Sequence, residues 1–169
     1  METTSTNEDR RLLKRYLSQY YRAKEKQAAL RSRLDELQSE LRHPGVSTPP
    51  LDGIPVKSKH HDGAIALIFK IDDIEERIQR QIDIEVRSVA EIMDVLDFLP
   101  RESTERDILE YRHIDCKPWT EIQRLVHLTR SPCFEYYNRG LDKLLEFKKV
   151  RATLAAFDAK LSRIEKDGH

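Results

Sequence analysis

Apolar side chains recur through residues 9–42 in alternating steps of three and four: Leu13, Tyr16, Tyr20, Ala23, Gln27, Leu30, Leu34, Leu37 and Leu41. That spacing keeps one stripe on one side of a helix and is the seam of a coiled coil, here with a single polar interruption at Gln27. It predicts one long helix, stopped at His43-Pro44-Gly45. A second stripe covers residues 64–99: Leu67, Ile71, Ile74, Ile78, Ile82, Val86, Val89, Met93 and Leu96. Its mean step is about 3.6 residues, and Asp72, Glu75, Glu76, Asp83, Glu91 and Asp94 lie opposite, so it predicts an amphipathic helix. Four prolines and three glycines make residues 43–63 a loop. Across such a loop the two helices can fold back as an antiparallel hairpin, or each can pair with a second copy.

After Leu99-Pro100 the pattern shortens. Ile108, Leu109, Tyr111 and Ile114 mark a helix over 102–114; Trp119, Ile122, Leu125 and Val126 mark one over 118–127, with Pro118 suited to its start. A third helix begins at a Thr129 or Ser131 cap and carries Cys133, Tyr136, Tyr137, Leu141, Leu144 and Leu145. It is expected to run on to Glu165, since Val150, Leu154, Phe157, Leu161 and Ile164 continue a helical stripe. The expected fold class is all-α: a long N-terminal coiled-coil helical hairpin followed by a C-terminal helix-turn-helix. Its segments are 1–42, 43–63, 64–99, 100–147 and 148–169.

A short helix, a tight turn and a longer helix form a DNA reader when the first braces on phosphates and the second enters the major groove. With Cys133, Tyr136 or Tyr137, Leu141 and Leu144 inward, the side chains left for DNA are Arg130, Ser131, Phe134, Glu135, Asn138 and Arg139, with Arg130 foremost at the N-terminal end. Asn pairs with adenine, Arg with guanine, and Glu accepts from cytosine. Lys117, Thr120 and Arg124 on the bracing helix are candidates for phosphate contacts. The seam residues Leu13, Tyr16, Tyr20, Gln27, Leu30, Leu34, Leu37 and Leu41 are the expected oligomerisation surface, giving a homodimer or a higher homo-oligomer.

Charge tempers this picture. The chain is neutral overall, yet residues 1–48 hold ten basic and seven acidic side chains, residues 64–100 four and nine, residues 101–147 eight and nine, and residues 148–169 six and three. The reader segment lacks the basic footprint usual for DNA binding, so affinity has to come from a second copy, from the basic flanks or from a protein partner. Cys116 and Cys133 form no disulfide framework and are read as two buried thiols in a reducing cytoplasm. No apolar run suits a membrane span or a signal peptide. His60-His61-Asp62 lacks the spacing of a metal site. No phosphate loop, nucleophile elbow or His-Glu-x-x-His is present, so neither cofactor, metal nor enzyme chemistry is expected.

Leu99-Pro100, Glu105-Arg106-Asp107-Ile108-Leu109, Trp119-Thr120-Glu121-Ile122 and Leu141-Asp142-Lys143-Leu144 resemble region four of bacterial sigma factors. With Leu51-Asp52-Gly53-Ile54-Pro55 and Tyr111-Arg112-His113-Ile114, residues 50–147 more closely resemble phage-encoded ArpU/RinA-type transcriptional regulators. The resemblance implies control of phage transcription in a bacterial host cytoplasm, with double-stranded DNA and RNA polymerase as partners. The chain departs from the pattern at Gln123, where a small residue is usual, at His127, where the turn usually has glycine, and at Pro118, where a serine-like cap is usual. Two other readings stand beside it: an adaptor that grips polymerase or another protein, and a small-terminase-like DNA-packaging subunit.

Overall fold

The computed structural model describes residues 2–43 and 60–167. Among these, the only regular elements are helices: α1 (Glu2–Leu17), α2 (Gln19–Arg42), α3 (His60–Leu96), α4 (Thr104–His113), α5 (Trp119–Leu125), α6 (Arg130–Glu146) and α7 (Lys148–Asp167). The all-α expectation holds. The second long helix begins at His60, four residues ahead of the expected 64; of the expected loop, residues 44–59 lie outside the described residues.

α1 and α2 are nearly one helix. The backbone bonds of Ser18 to Lys14 and of Arg22 to Ser18 carry the ladder across, while the Ser18 hydroxyl also donates to the Lys14 carbonyl at 2.7 Å. Such back-bonding competes with the ladder and bends helices.

The chain divides into two compact units, residues 1–22 with 86–169 and residues 23–85. These cut across the segments expected from sequence. In the first unit Leu13, Tyr16 and Leu17 of α1 share one core with Ile92, Val95, Leu96 and Leu99, with Ile108, Leu109 and Ile122, and with Cys133, Tyr137, Leu141 and Leu144. The beginning of the N-terminal helix is thus part of the helix-turn-helix core. In the second unit Ala23, Leu37 and Ile78 are buried, and Gln81 donates to the Ala23 carbonyl at 3.2 Å.

Two expectations are corrected here. The α3 stripe was set by its apolar residues, yet Val86 and Met93 are exposed while Gln81, Ser88, Ile92 and Val95 are buried. The inward positions follow the 3.5-residue coiled-coil repeat and accept polar residues, with Gln81 satisfied by hydrogen bonding. The seam expected to hold a second copy is taken up within the chain only in part: Leu13, Tyr16 and Tyr20 belong to or pack against the first unit's core and Ala23 and Leu37 are buried in the second, while Gln27, Leu30, Leu34 and Leu41 are half-buried.

A third correction concerns the C-terminus. α6 stops at Phe147, whose backbone is extended (φ −80°, ψ 124°), and α7 starts anew. Arg151 donates to the Leu145 and Glu146 carbonyls at 2.7 and 3.2 Å, satisfying orphan acceptors at the α6 end. The break lets Val150 and Leu154 enter the core and sets Phe157 edge-on to Tyr16, ring centroids 5.3 Å apart.

Candidate nucleic-acid interface

Local sequence fixes each helix of the C-terminal helix-turn-helix. Ser103 caps α4 by accepting from the Arg106 N–H, and Glu105 and Asp107 in the first turn with Arg112 and His113 in the last complement the helix dipole. Pro118 precedes α5 as its N-cap. α5 ends in a Schellman motif: the Leu128 N–H donates to the Gln123 carbonyl at 3.0 Å and the His127 N–H to the Arg124 carbonyl at 3.3 Å. His127 takes the left-handed conformation (φ 53°) that the motif needs, in the place where the resembled family has glycine. A four-residue turn, Val126–Thr129, then leads into α6.

Three polar clusters lock this arrangement from within. The buried Arg106 donates to Asp97 and Glu110, each at 2.7 Å, and to the Leu99 carbonyl at 3.3 Å, tying the end of α3 to α4. The buried Glu105 accepts from Lys143 at 2.7 Å, tying α4 to α6. Burial pushes the Glu105 carboxyl up, but the hydrogen bond and charge of Lys143, with the charge of Arg139, outweigh it and hold it below the usual range. The buried His113 meets the Tyr137 hydroxyl at 3.1 Å and the Leu17 backbone. Burial, with the nearby charges of Arg112 and Lys14, pushes it down to about 3, so it is a neutral bridge between α1, α4 and α6.

α1 braces the far half of α6. Arg10 makes a forked ion pair with Asp142, and Lys14 lies over the Tyr137 ring, 5.5 Å from its centroid. The near half is open: Thr129, Arg130, Ser131 and Glu135 are exposed, and Thr129 caps α6 without a side-chain hydrogen bond. The Cys133 N–H bonds to the Thr129 carbonyl and Pro132 has no N–H, so only the Arg130 and Ser131 amides of the first turn are without a helical partner.

The candidate DNA-contacting residues fall into two sets. Arg130, Ser131 and Glu135 on α6, and Thr120 and Arg124 on α5, are exposed. Arg139 is exposed as well, and the others are half-buried. Phe134 stacks on Trp119 at 4.3 Å between ring centroids, so it joins α5 to α6 instead of offering a free apolar tip. Arg130 lies over that same Phe134 ring at 5.8 Å, an aromatic shelf beneath the guanidinium. Lys117 is paired with Glu121 at 2.6 Å, Arg139 lies over Tyr136 and 3.9 Å from Glu105, and Asn138 is half-buried.

Sequence reasoning missed the Arg112 side chain, which covers the Trp119 ring at 5.2 Å and donates to the Lys117 carbonyl at 3.1 Å, holding the α4–α5 turn where Cys116 is left-handed. Its only sequence signal was the Arg beside the apolar stripe. Cys133 is buried, and burial pushes its thiol up, away from nucleophilic chemistry; Cys116, expected to be buried, is half-buried. Among the described residues no helix is long and apolar enough to cross a membrane. No family model, curated protein or solved structure matches the chain.

Proposed function

We propose that the chain is a sequence-specific, double-stranded-DNA-binding transcriptional regulator of the phage or prophage type, acting in a bacterial host cytoplasm by binding and not by catalysis. The observation that carries this reading is the open N-terminal half of α6. Its exposed Arg130, Ser131 and Glu135 stand on a turn fixed by His127 and by the Trp119–Phe134 contact, while the ion pairs and the Lys14 ring contact from α1 and α4 fall on Tyr137 or beyond. In this reading the exposed Arg130 reads guanine and the exposed Arg124 holds a phosphate. RNA polymerase is the second partner that the resemblance implies. A homo-oligomer belongs to the same proposal; Val86 and Met93 are apolar residues of α3 left exposed for it.

The adaptor reading rests on charge: Lys117 is neutralised by Glu121, and Glu135 opposes Arg130 on the reading face. Mobility shift of a random-sequence duplex separates the two. A reader contacting six or more phosphates is expected to bind at 50 mM salt and to lose about a thousandfold in affinity or more by 200 mM. Folded protein that shifts no duplex at 50 mM salt would favour the adaptor.

A further inference from the structure

α7 is built differently on its two sides. Val150 and Leu154 are buried and Phe157 is half-buried against the core, which fixes the helix on the reader unit. At about 100° per residue, Lys149, Ala156, Lys160 and Arg163 fall within about 60° of one another on the outer side. All four are exposed, as is Ala152 beside them. Of the acidic residues, Asp158 and Glu165 fall on the opposite flank, where Glu165 lies 3.8 Å from Arg15 of α1, and Asp167, at the C-terminal end of α7, falls in line with Lys149. Among the described residues none of Lys149, Lys160 and Arg163 has an ion-pair partner.

We propose that this face is a second DNA contact, which grips the phosphate backbone of duplex flanking the segment read by α6; it rests on the DNA-reading proposal above. Lys149 and Arg163 are about 21 Å apart along the helix, roughly six base-pair steps of one strand. The alanines between them leave the face low enough for the helix to lie against a phosphate ridge. α7 begins about 24 Å along α6 from Arg130, beyond the ~12 Å width of a major groove, so its phosphates belong to flanking DNA. A membrane surface fits poorly, because a lipid-binding helix offers its apolar side and here Val150, Leu154 and Phe157 of that side pack in or against the core, with Ile164 its one strongly exposed residue. A protein partner fits poorly too, because the face lacks the large apolar or aromatic anchors of protein interfaces. The face returns to the reader the cations that residues 101–147 lack.

The test compares the full chain with the triple variants K149E/K160E/R163E and K149Q/K160Q/R163Q, with helicity checked by circular dichroism. Affinity for a 40-base-pair duplex is measured over 50 to 200 mM salt. Both triples are expected to lose at least about tenfold in affinity at 100 mM, with the slope of log affinity against log salt shallower by about 2.7, three contacts at 0.9 each. Their preference among duplex sequences is expected to stay as in the parent. If the parent binds duplex and both folded triples match its affinity and slope, the inference falls and the reader stands. If the triples lose affinity for RNA or for an acidic protein while duplex binding is unchanged, the inference also falls. If the parent binds no duplex at all, both fall.

Discussion

Gly140→Val is expected to destabilise the protein by about 3 kcal/mol or more, lowering the melting temperature by roughly 10 °C. α4 and α6 cross most closely at this glycine. A Cβ there would stand 2.9 Å from the Leu109 Cδ1 and 3.1 Å from the Glu105 Cβ. Neither neighbour can give way: Leu109 is fully buried, and the Glu105 Cβ is anchored to the α4 backbone while its carboxylate is held by Lys143. Alanine would gain about 1 kcal/mol of helix propensity over glycine, which only partly offsets the clash, and valine adds two further methyl groups. Gly63 is the control. It is also helical, but a Cβ there meets nothing within 4 Å. Gly63→Ala is therefore expected to be neutral or slightly stabilising, and thermal unfolding of both variants measures the contrast. Equal melting temperatures for Gly140→Val and the parent would show that the helices do not approach as described.

Acid is expected to weaken the fold through His113 before the carboxylates titrate. In the folded protein this imidazole is held neutral down to about pH 3, whereas in the unfolded chain it gains a proton near pH 6.5. The unfolded state thus binds the extra proton between those values. The stability His113 contributes is complete above about pH 6.5 and is lost as pH falls, by up to about 1.4 kcal/mol per unit. His113→Gln keeps a donor and an acceptor for Leu17 and Tyr137 but does not titrate. Urea unfolding of both proteins from pH 7 to pH 5 is expected to show a steeper decline in the parent, by on the order of 1 kcal/mol per unit. Parallel slopes would mean that His113 is not buried as the bridge between α1, α4 and α6.

The helices were legible because their apolar spacing is strong, and the order of the helix-turn-helix was legible from Pro118, the turn at His127 and the stripe through Leu144. The register of α3 was not. Gln81 and Ser88 occupy its inner positions while Val86 and Met93 face out, so counting apolar residues rotates the helix. The stop at Phe147 carries no glycine or proline; it depends on Arg151 bonding back to the α6 carbonyls and on Val150 and Leu154 finding the core. The docking of α1 on α6 joins residues 132 positions apart, Arg10 and Asp142, and no local pattern reports it. In the candidate site, the exposure of Arg124, Arg130, Ser131 and Glu135 could be read from helical phase. The pairing of Lys117 with Glu121 could have been read from its four-residue spacing. The diversion of Arg139 to Glu105, and of Phe134 to Trp119, arises only in three dimensions.

The most direct measurement of the central claim is selection of bound duplexes from a random-sequence library, run in parallel with the parent protein and Arg130→Ala. The parent is expected to enrich a defined motif containing a guanine, and the variant is expected to lose preference at that base pair, by about tenfold or more, while keeping the rest of the motif. Enrichment of no motif by folded parent protein, or an identical motif from the variant, would contradict the reading of α6 as the helix that reads DNA through Arg130.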